Sequence, residues 1–431
     1  MEYFKLQIGC LVFVLYIAFV YLRETGRRTG VRRSLYFMVL VVISVVNLIF
    51  DGATAYTVNH LDSVPRALNL VLHLVFLLSL DTLIFYMFHY MLSFTEYSHP
   101  PLFGRIFVWL PFAVNVLVLV VNIRNLEFRT GTVTNYSMGV SVYTCYATAA
   151  VYFLAMLAVF FRRSKYIESR KRVSIFTFLF VFLCVTMYQM LRPESLISSI
   201  GPVMFVLGIY LNCEDPALIR LAESTAATVV DFSTMVENRD DSTGGHVKRT
   251  SAYVSLLADA LWKRGYYNDV FTKDYMNELA LAAPLHDIGK IGVPDSILQK
   301  PGRLTDMEFE IMKTHAARGG ELILETFGKR EDQKFVSTAF DVARHHHEKW
   351  NGNGYPDRLR GEEIPLCARI MAVADVFDAL SQNRCYRAAM PLDRCFEIIE
   401  SGRGTDFDPL LVDVFLEIRS EVENVHAKVN S

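Results

Sequence analysis

Eleven histidines are spread along the 431 residues, and six of them fall between positions 246 and 347. They are His246, His286, His315, His345, His346 and His347. His286 is followed directly by Asp287, and Asp375 lies further on in the run AVADVFDAL. Imidazole and carboxylate without thiolate is a donor set for Fe, Mn, Zn or Ni at a catalytic site. A structural zinc site would more often use cysteine, and none stands near these residues by spacing. A carboxylate beside a histidine is chemically useful, because the imidazole can hold one metal while the carboxylate reaches a second. Two metals about 3.5–4 Å apart can activate a water and neutralise charge developing on a phosphate. Taken singly, each histidine has a plainer reading: His315 as a helix cap, His345 as a solvent-facing neighbour.

The order of the short motifs narrows the choice. His246 comes first, then HDIGK at 286–290, KPG at 300–302 and His315. HHEKWNGNGYP at 346–356, IPLCARIMAVADVFDAL at 364–380 and RCYRAA at 384–389 follow. Over about 230–418 this series resembles the HD-GYP family of cyclic di-GMP phosphodiesterases, a branch of the HD metal-dependent phosphohydrolases. The resemblance implies metal ligands at His246, His286, Asp287, His315, His346, His347 and Asp375, with Asp287 as the bridging carboxylate. It implies that Lys290 contacts the scissile phosphate. Lys290 stands four residues after His286, which in a helix is one turn away on the same face. Arg384 and Arg387 match a basic pair that holds the phosphate and guanine of the ligand, and the planar guanidinium fork suits both groups. Gly352, Gly354, Tyr355 and Pro356 match the loop that names the family. Two glycines and a proline fix its course, and Tyr355 gives it an aromatic tip. In the family this loop also serves protein contacts, so a diguanylate cyclase domain is an expected partner there. His345 matches no family role.

One position departs from the pattern. Relatives that hold three metals carry a glutamate four residues before the first ligand histidine, where this chain has Ser242. A hydroxyl is a poor substitute for a carboxylate ligand, and Asp240 and Asp241 stand at other turns. The expectation is therefore two divalent ions per chain, Fe or Mn by the imidazole-rich donor set. One would be held by His246, His286, Asp287 and Asp375, the other by Asp287, His315, His346 and His347.

These residues need elements to position them. Apolar residues in 251–262, 276–285, 307–324, 332–344, 366–381 and 392–400 recur at helical spacing, while β-branched alternating runs are scarce. The C-terminal half therefore reads as an all-α domain over 237–431. Before it, Leu218, Ala222, Thr225, Val229, Phe232 and Val236 recur at spacings of four and three. That is the stripe of a helix that pairs with a copy of itself, and also of an ordinary first helix packed on its own domain. We assign 213–236 as a linker or signalling helix, with a homodimer as the expected assembly.

The first 212 residues are of another kind. Seven apolar stretches, about 4–22, 34–50, 67–92, 106–123, 139–161, 173–191 and 196–212, approach the length of about 20 residues that crosses a hydrocarbon core. The predicted fold class is all-α, a seven-span membrane bundle over 1–212 followed by a helical HD-type domain. The bundle is similar to seven-helix sensory modules that precede bacterial signalling enzymes. Five arginines in 23–33 and six Lys/Arg in 162–172 contrast with one in 51–66, two in 124–138 and one in 192–195. Basic loops stay on the cytoplasmic side, which puts the N-terminus outside and the C-terminal half in the cytoplasm of a bacterial inner membrane. The third stretch carries His73, Asp81 and His89 at intervals of eight, a little over two helical turns, and the expectation is that they fall near one face. A ligand or proton sensor and plain interhelical hydrogen bonding both account for them.

Charge divides along the same line. Residues 1–212 hold 17 Lys/Arg and 9 Asp/Glu, a net of +8, and residues 213–431 hold 26 and 36, a net of −10. An acidic soluble half excludes a bulk nucleic-acid binder. Seven cysteines without a C-x-x-C pair exclude a disulfide framework. The function expected is hydrolysis of cyclic di-GMP to pGpG, with GMP as a further product, under control of the membrane half. A phosphohydrolase for another cyclic nucleotide and a non-catalytic receptor are the alternatives.

Overall fold

The structure is a computed structural model that describes residues 5–25, 34–95, 102–239, 245–329, 333–383 and 388–429. Ser242, Asp240, Asp241, Arg384, Arg387 and most of the arginine-rich loop 23–33 lie outside the described residues. The chain divides into two compact units, Met1–Leu221 and Ala222–Ser431.

The first unit is built from helices α1 (Lys5–Glu24), α2 (Leu35–Val58), α3 (Arg66–Ser93), α4 (Leu102–Asn122), α5 (Val140–Arg163), α6 (Ser169–Leu191) and α7 (Ile200–Ile209). A two-stranded antiparallel hairpin, β1 (Glu127–Arg129) and β2 (Tyr136–Met138), joins α4 to α5, with Glu127 opposite Met138. It is a short exception to the all-α expectation. Among the described residues, seven helical stretches are long and apolar enough to cross a membrane, the last running Ile200–Glu237. A helix of 20 residues rises about 30 Å, the thickness of a hydrocarbon core. The stretch expected at 34–50 gains length at its C-terminal end, because Asp51, Thr54 and Thr57 are buried rather than exposed. Their polar atoms are satisfied inside: Thr57 Oγ1 donates to Asn69 Oδ1 at 2.9 Å.

His73, Asp81 and His89 do not share one face. Eight residues at about 100° each leave a remainder of roughly 80° per interval, so His73 and His89 end on nearly opposite sides of α3. The His73 ring lies 5.3 Å from Phe128 of the hairpin, whereas His89 packs against Phe85 and Trp109.

Helix α8 (Pro216–Glu237) occupies the segment expected as a linker and contains the boundary between the units. Of its predicted stripe, Val236 is buried in the second unit and Phe232 is exposed.

The second unit contains α9 (His246–Arg264), α10 (Lys273–Ala282), α11 (Asp295–Leu298), α12 (Asp306–Phe327), α13 (Gln333–His345), α14 (Leu366–Ser381), α15 (Leu392–Ser401), α16 (Pro409–Glu417) and α17 (Arg419–Val429). Helix α9 packs on α10, α14, α16 and α17, while α13 packs on α10, α12 and α14. The core between α9, α14, α15 and α16 is aromatic: Phe377 lies 5.2 Å from Tyr253, 5.1 Å from Phe396 and 5.2 Å from Phe415, ring to ring. Burying one such ring stabilises by about 1.5–3 kcal/mol, so this cluster anchors α14 and with it Asp375. Thr305 and Glu308 close a reciprocal capping box that starts α12 and fixes the register that carries His315.

Candidate metal centre

Six side chains converge inside the second unit from four separate places. His246 is the first residue of α9, and its backbone N–H donates to the buried Glu237 carboxylate at 2.8 Å. His286 and Asp287 lie between two 3-10 segments, Ala283–Leu285 and Ile288–Gly292. His315 sits within α12, and His346 and His347 follow the last residue of α13. The 3-10 geometry corrects one expectation. Lys290 is not an α-helical turn beyond His286; its ammonium instead reaches back to Asp287 Oδ2 at 2.8 Å.

Gly289 makes this arrangement fit. A Cβ there would stand 2.0 Å from the His315 carbonyl oxygen and 2.5 Å from Gly319 N. Only glycine lets the segment after Asp287 press against α12 so closely.

Two groups of potential ligand atoms form, each within 4.8 Å: His246, His286 and Asp287 in one, and Asp287, His315, His346 and His347 in the other. Asp287 belongs to both. Its Oδ2 faces His286 Nε2 at 3.4 Å and His246 Nε2 at 3.8 Å. Its Oδ1 faces His315 Nε2 at 3.4 Å and His346 Nε2 at 3.8 Å. Asp375 adjoins the first group through Oδ1, 3.5 Å from His246 Nε2. The ligand residues expected from sequence are thus brought together.

The donor chemistry fits metal ions. His286 Nδ1 bonds the Ala283 carbonyl at 3.0 Å, His315 Nδ1 that of Met312 at 2.7 Å, and His346 Nδ1 that of Val342 at 3.0 Å. His246 Nδ1 bonds Asp378 at 2.8 Å. Each such bond places the ring proton on Nδ1 and turns the Nε2 lone pair inward. Among the described residues, His315 Nε2 and His346 Nε2 are buried with no hydrogen-bond partner, which is costly unless something electrophilic meets them.

Electrostatics agree. Burial, and then the neighbouring imidazoles, push His346 down to about 3 and His347 well below its ordinary value. Burial likewise lowers His315. These rings are neutral, the form that ligates. Burial opposes the charge on Asp287, but Lys290 and His286 hold its carboxyl well below the usual range. Burial also opposes a proton on His286, yet Asp287 and Asp375 raise it.

Three supporting residues escaped the sequence reading. Asp378 accepts from His246 Nδ1 and, at 2.7 Å, from Arg249 Nε in a buried pair. Glu237 caps α9, as described. Glu348, 3% exposed, accepts backbone N–H bonds from Asp357, Arg358 and Leu359 at 2.7, 3.0 and 3.1 Å. Asp378 had a legible signal, since it stands three residues after Asp375 on one helix face. Glu237 and Glu348 had none, because their partners are backbone groups of other segments.

The Gly352–Pro356 loop closes one side. Gly352 adopts φ +82°, and a Cβ on Gly354 would stand 2.3 Å from Lys349 N. Tyr355 lies ring to ring 4.8 Å from His347, and the Tyr355–Pro356 peptide is cis. His345 stands apart from the ligand groups, with Nε2 3.0 Å from Asp357, which Arg344 also grips at 2.6 Å. A cleft of about 520 Å³ opens over the centre, lined by Asp287, Lys290, His347 and Tyr355 and, further out, Lys300 and Arg303. Its volume is in the range of small-ligand sites. The arrangement can hold two cations beside a basic, aromatic-edged cleft, which suits a phosphodiester with attached bases.

Residues 232–411 match the family model of the HD domain. A cyclic di-GMP phosphodiesterase of Vibrio cholerae is 38% identical over 233 residues, 54% of this chain and 47% of that protein. A probable cyclic di-GMP phosphodiesterase of the same organism is 45% identical over 192 residues, 44% of this chain and 43% of that one. A third Vibrio cholerae protein, 3'3'-cGAMP-specific phosphodiesterase 2, is 36% identical over 212 residues, covering 49% and 38%. The chain thus spans less than half the length of each of these relatives.

Proposed function

From an HD domain over residues 232–411, we propose that the chain is a metal-dependent phosphodiesterase acting on cyclic di-GMP and releasing pGpG. The observation that carries this reading is the shared Asp287 carboxylate between two groups of inward-turned imidazoles. His246, His286, Asp287 and Asp375 would hold one divalent ion, and Asp287, His315, His346 and His347 a second, Fe or Mn by donor type. Bound there, the pair would supply Lewis acidity toward a phosphodiester and acidify a water.

The chain's own residues orient the substrate. Lys290 carries a positive charge beside Asp287 at the floor of the cleft, where a phosphate oxygen needs it. Tyr355 offers a ring for stacking a base. Arg384 and Arg387 complete the set as phosphate and guanine contacts. A second substrate reading, 3'3'-cGAMP, draws on the specificity of one relative, 3'3'-cGAMP-specific phosphodiesterase 2.

The membrane half would span the bilayer seven times with the N-terminus outside and the HD domain in the cytoplasm of a bacterial inner membrane. Exposed Leu221, Phe232 and Met235 of α8 suit pairing with a second copy, and the Gly352–Pro356 loop suits a diguanylate cyclase domain.

Anaerobic purification, metal analysis and assay against cyclic di-GMP, 3'3'-cGAMP and cyclic di-AMP test the reading. Two ions per chain and fastest cleavage of cyclic di-GMP are expected. Three ions in the unaltered chain would overturn the count that follows from Ser242, and a gain of one ion in Ser242→Glu would locate the limit there. Fastest cleavage of 3'3'-cGAMP would select the second substrate.

A further inference from the structure

The first unit contains a cavity of about 130 Å³ between α2, α3, α5 and α6, walled on one side by β2. Its body is apolar, formed by residues such as Leu77, Leu80, Ile84, Val142, Phe182 and Val185. Its polar end is formed by Asp51, Thr54, His73 and Ser198. Among the described residues, no lysine or arginine lines it.

The polar end is rich in acceptors. Asp51, 3% exposed, takes hydrogen bonds from Ser198 Oγ at 3.3 Å to each oxygen, from Ser199 Oγ and from the Gln7 side chain. These donors are all neutral, so a cation entering the cavity would add a charge-assisted hydrogen bond that they do not supply. His73, 2% exposed, bonds the Asn69 carbonyl through Nδ1 at 2.9 Å. That bond leaves Nε2 as an acceptor. An ammonium group has three donors and no acceptor, the complement of this end.

The wall is fastened from both sides. Asn135, just before β2, donates to Asn59 Oδ1 at 3.0 Å and to the Val58 carbonyl at 3.2 Å. Glu194 accepts from Thr132 N at 2.6 Å, and Thr134 Oγ1 donates to the Glu194 carbonyl at 2.8 Å. The cavity is thus a built chamber with a tied wall rather than a packing gap.

We propose that this cavity binds a small lipophilic primary amine, its ammonium between Asp51 and His73 and its apolar body against α3 and α5. The volume sets the size. An engineered apolar cavity of about 150 Å³ takes benzene, so the apolar body is at most a single ring or a short chain, with the amine lodged at the polar end. An anion is disfavoured, because it would meet Asp51 with no cation to offset it.

The test uses the full chain in detergent micelles and three probes of equal shape: benzylamine, benzyl alcohol and benzoate. Calorimetric titration should show saturable binding of benzylamine at least tenfold tighter than the other two. Asp51→Asn should weaken benzylamine at least tenfold and leave benzyl alcohol unchanged. Val142→Phe, which fills the apolar body, should weaken both. Benzyl alcohol or benzoate binding as tightly as benzylamine would overturn the amine assignment, and so would absence of saturable binding of benzylamine. Should Asp51→Asn fail to fold, the ranking of the three probes on the unaltered chain still decides. None of these readouts depends on phosphodiesterase activity.

Discussion

At the scale of single residues, Asp287 and Asp378 separate two kinds of dependence on a carboxylate. Asp287 faces four imidazoles through its two oxygens. Asp287→Asn should abolish hydrolysis and reduce the metal content, read by metal analysis beside the assay; near-normal turnover would remove Asp287 from the bridging role. Among the described residues, Asp378 belongs to neither group of ligand atoms and acts through His246 Nδ1. Asp378→Asn should weaken metal affinity about 10- to 100-fold while excess metal restores turnover. Loss that excess metal does not restore would assign Asp378 a structural role instead. Arg384→Ala should mainly raise KM, because a contact kept in ground and transition states alike leaves kcat less affected. At this scale the sequence was most legible where chemistry is written in residue type. Histidines and an adjacent aspartate announce ligands, whereas Glu237 and Glu348 work on backbone N–H groups that no spacing reveals.

Elements place those residues, and here the reading was uneven. Helix α14 stands at the predicted 366–381, because its apolar residues recur through a mostly buried segment. The ends of α12 were close to expectation, since Thr305 and Glu308 form a cap that sequence can show. Helices α16 and α17 were absent from the predicted stretches. Helix α16 has only nine residues, LLVDVF among them, too short for helical periodicity to stand out from a strand. The 3-10 path through Asp287 was equally hidden, because it depends on the close approach of Gly289 to α12. Gly289→Ala should cost about 2 kcal/mol by overpacking, and in doing so displace Asp287 from His315. Thermal unfolding of the full chain, followed by fluorescence of Trp262 and Trp350, should report the loss together with weaker metal retention; an unchanged transition would refute the contact. Glu348→Gln should also cost about 2 kcal/mol, because a charged acceptor of three N–H bonds is lost. A fall of roughly 5 °C is expected for a unit of this size.

For the whole molecule, charge and hydropathy change together near residue 212. The switch from +8 to −10 falls close to the boundary between the two compact units at Leu221 and Ala222. What composition could not give was the interior of the first unit. The cavity arises from buried Asp51, His73 and the serines, which a hydropathy window averages away. The basic loops predict that alkaline phosphatase fused after residue 212 is inactive and fused after residue 60 is active. The reverse pattern would invert the topology.

The double membership of Asp287 also governs how such a site can be lost over generations. Each histidine serves one group, so its replacement erodes one half and leaves the other recognisable. Asp287 serves both, and one base change in its codon removes the common member of the two. Inactive descendants are therefore expected to come in two forms. One keeps every histidine and lacks the aspartate, silenced in a single event; the other accumulates histidine losses and declines in steps.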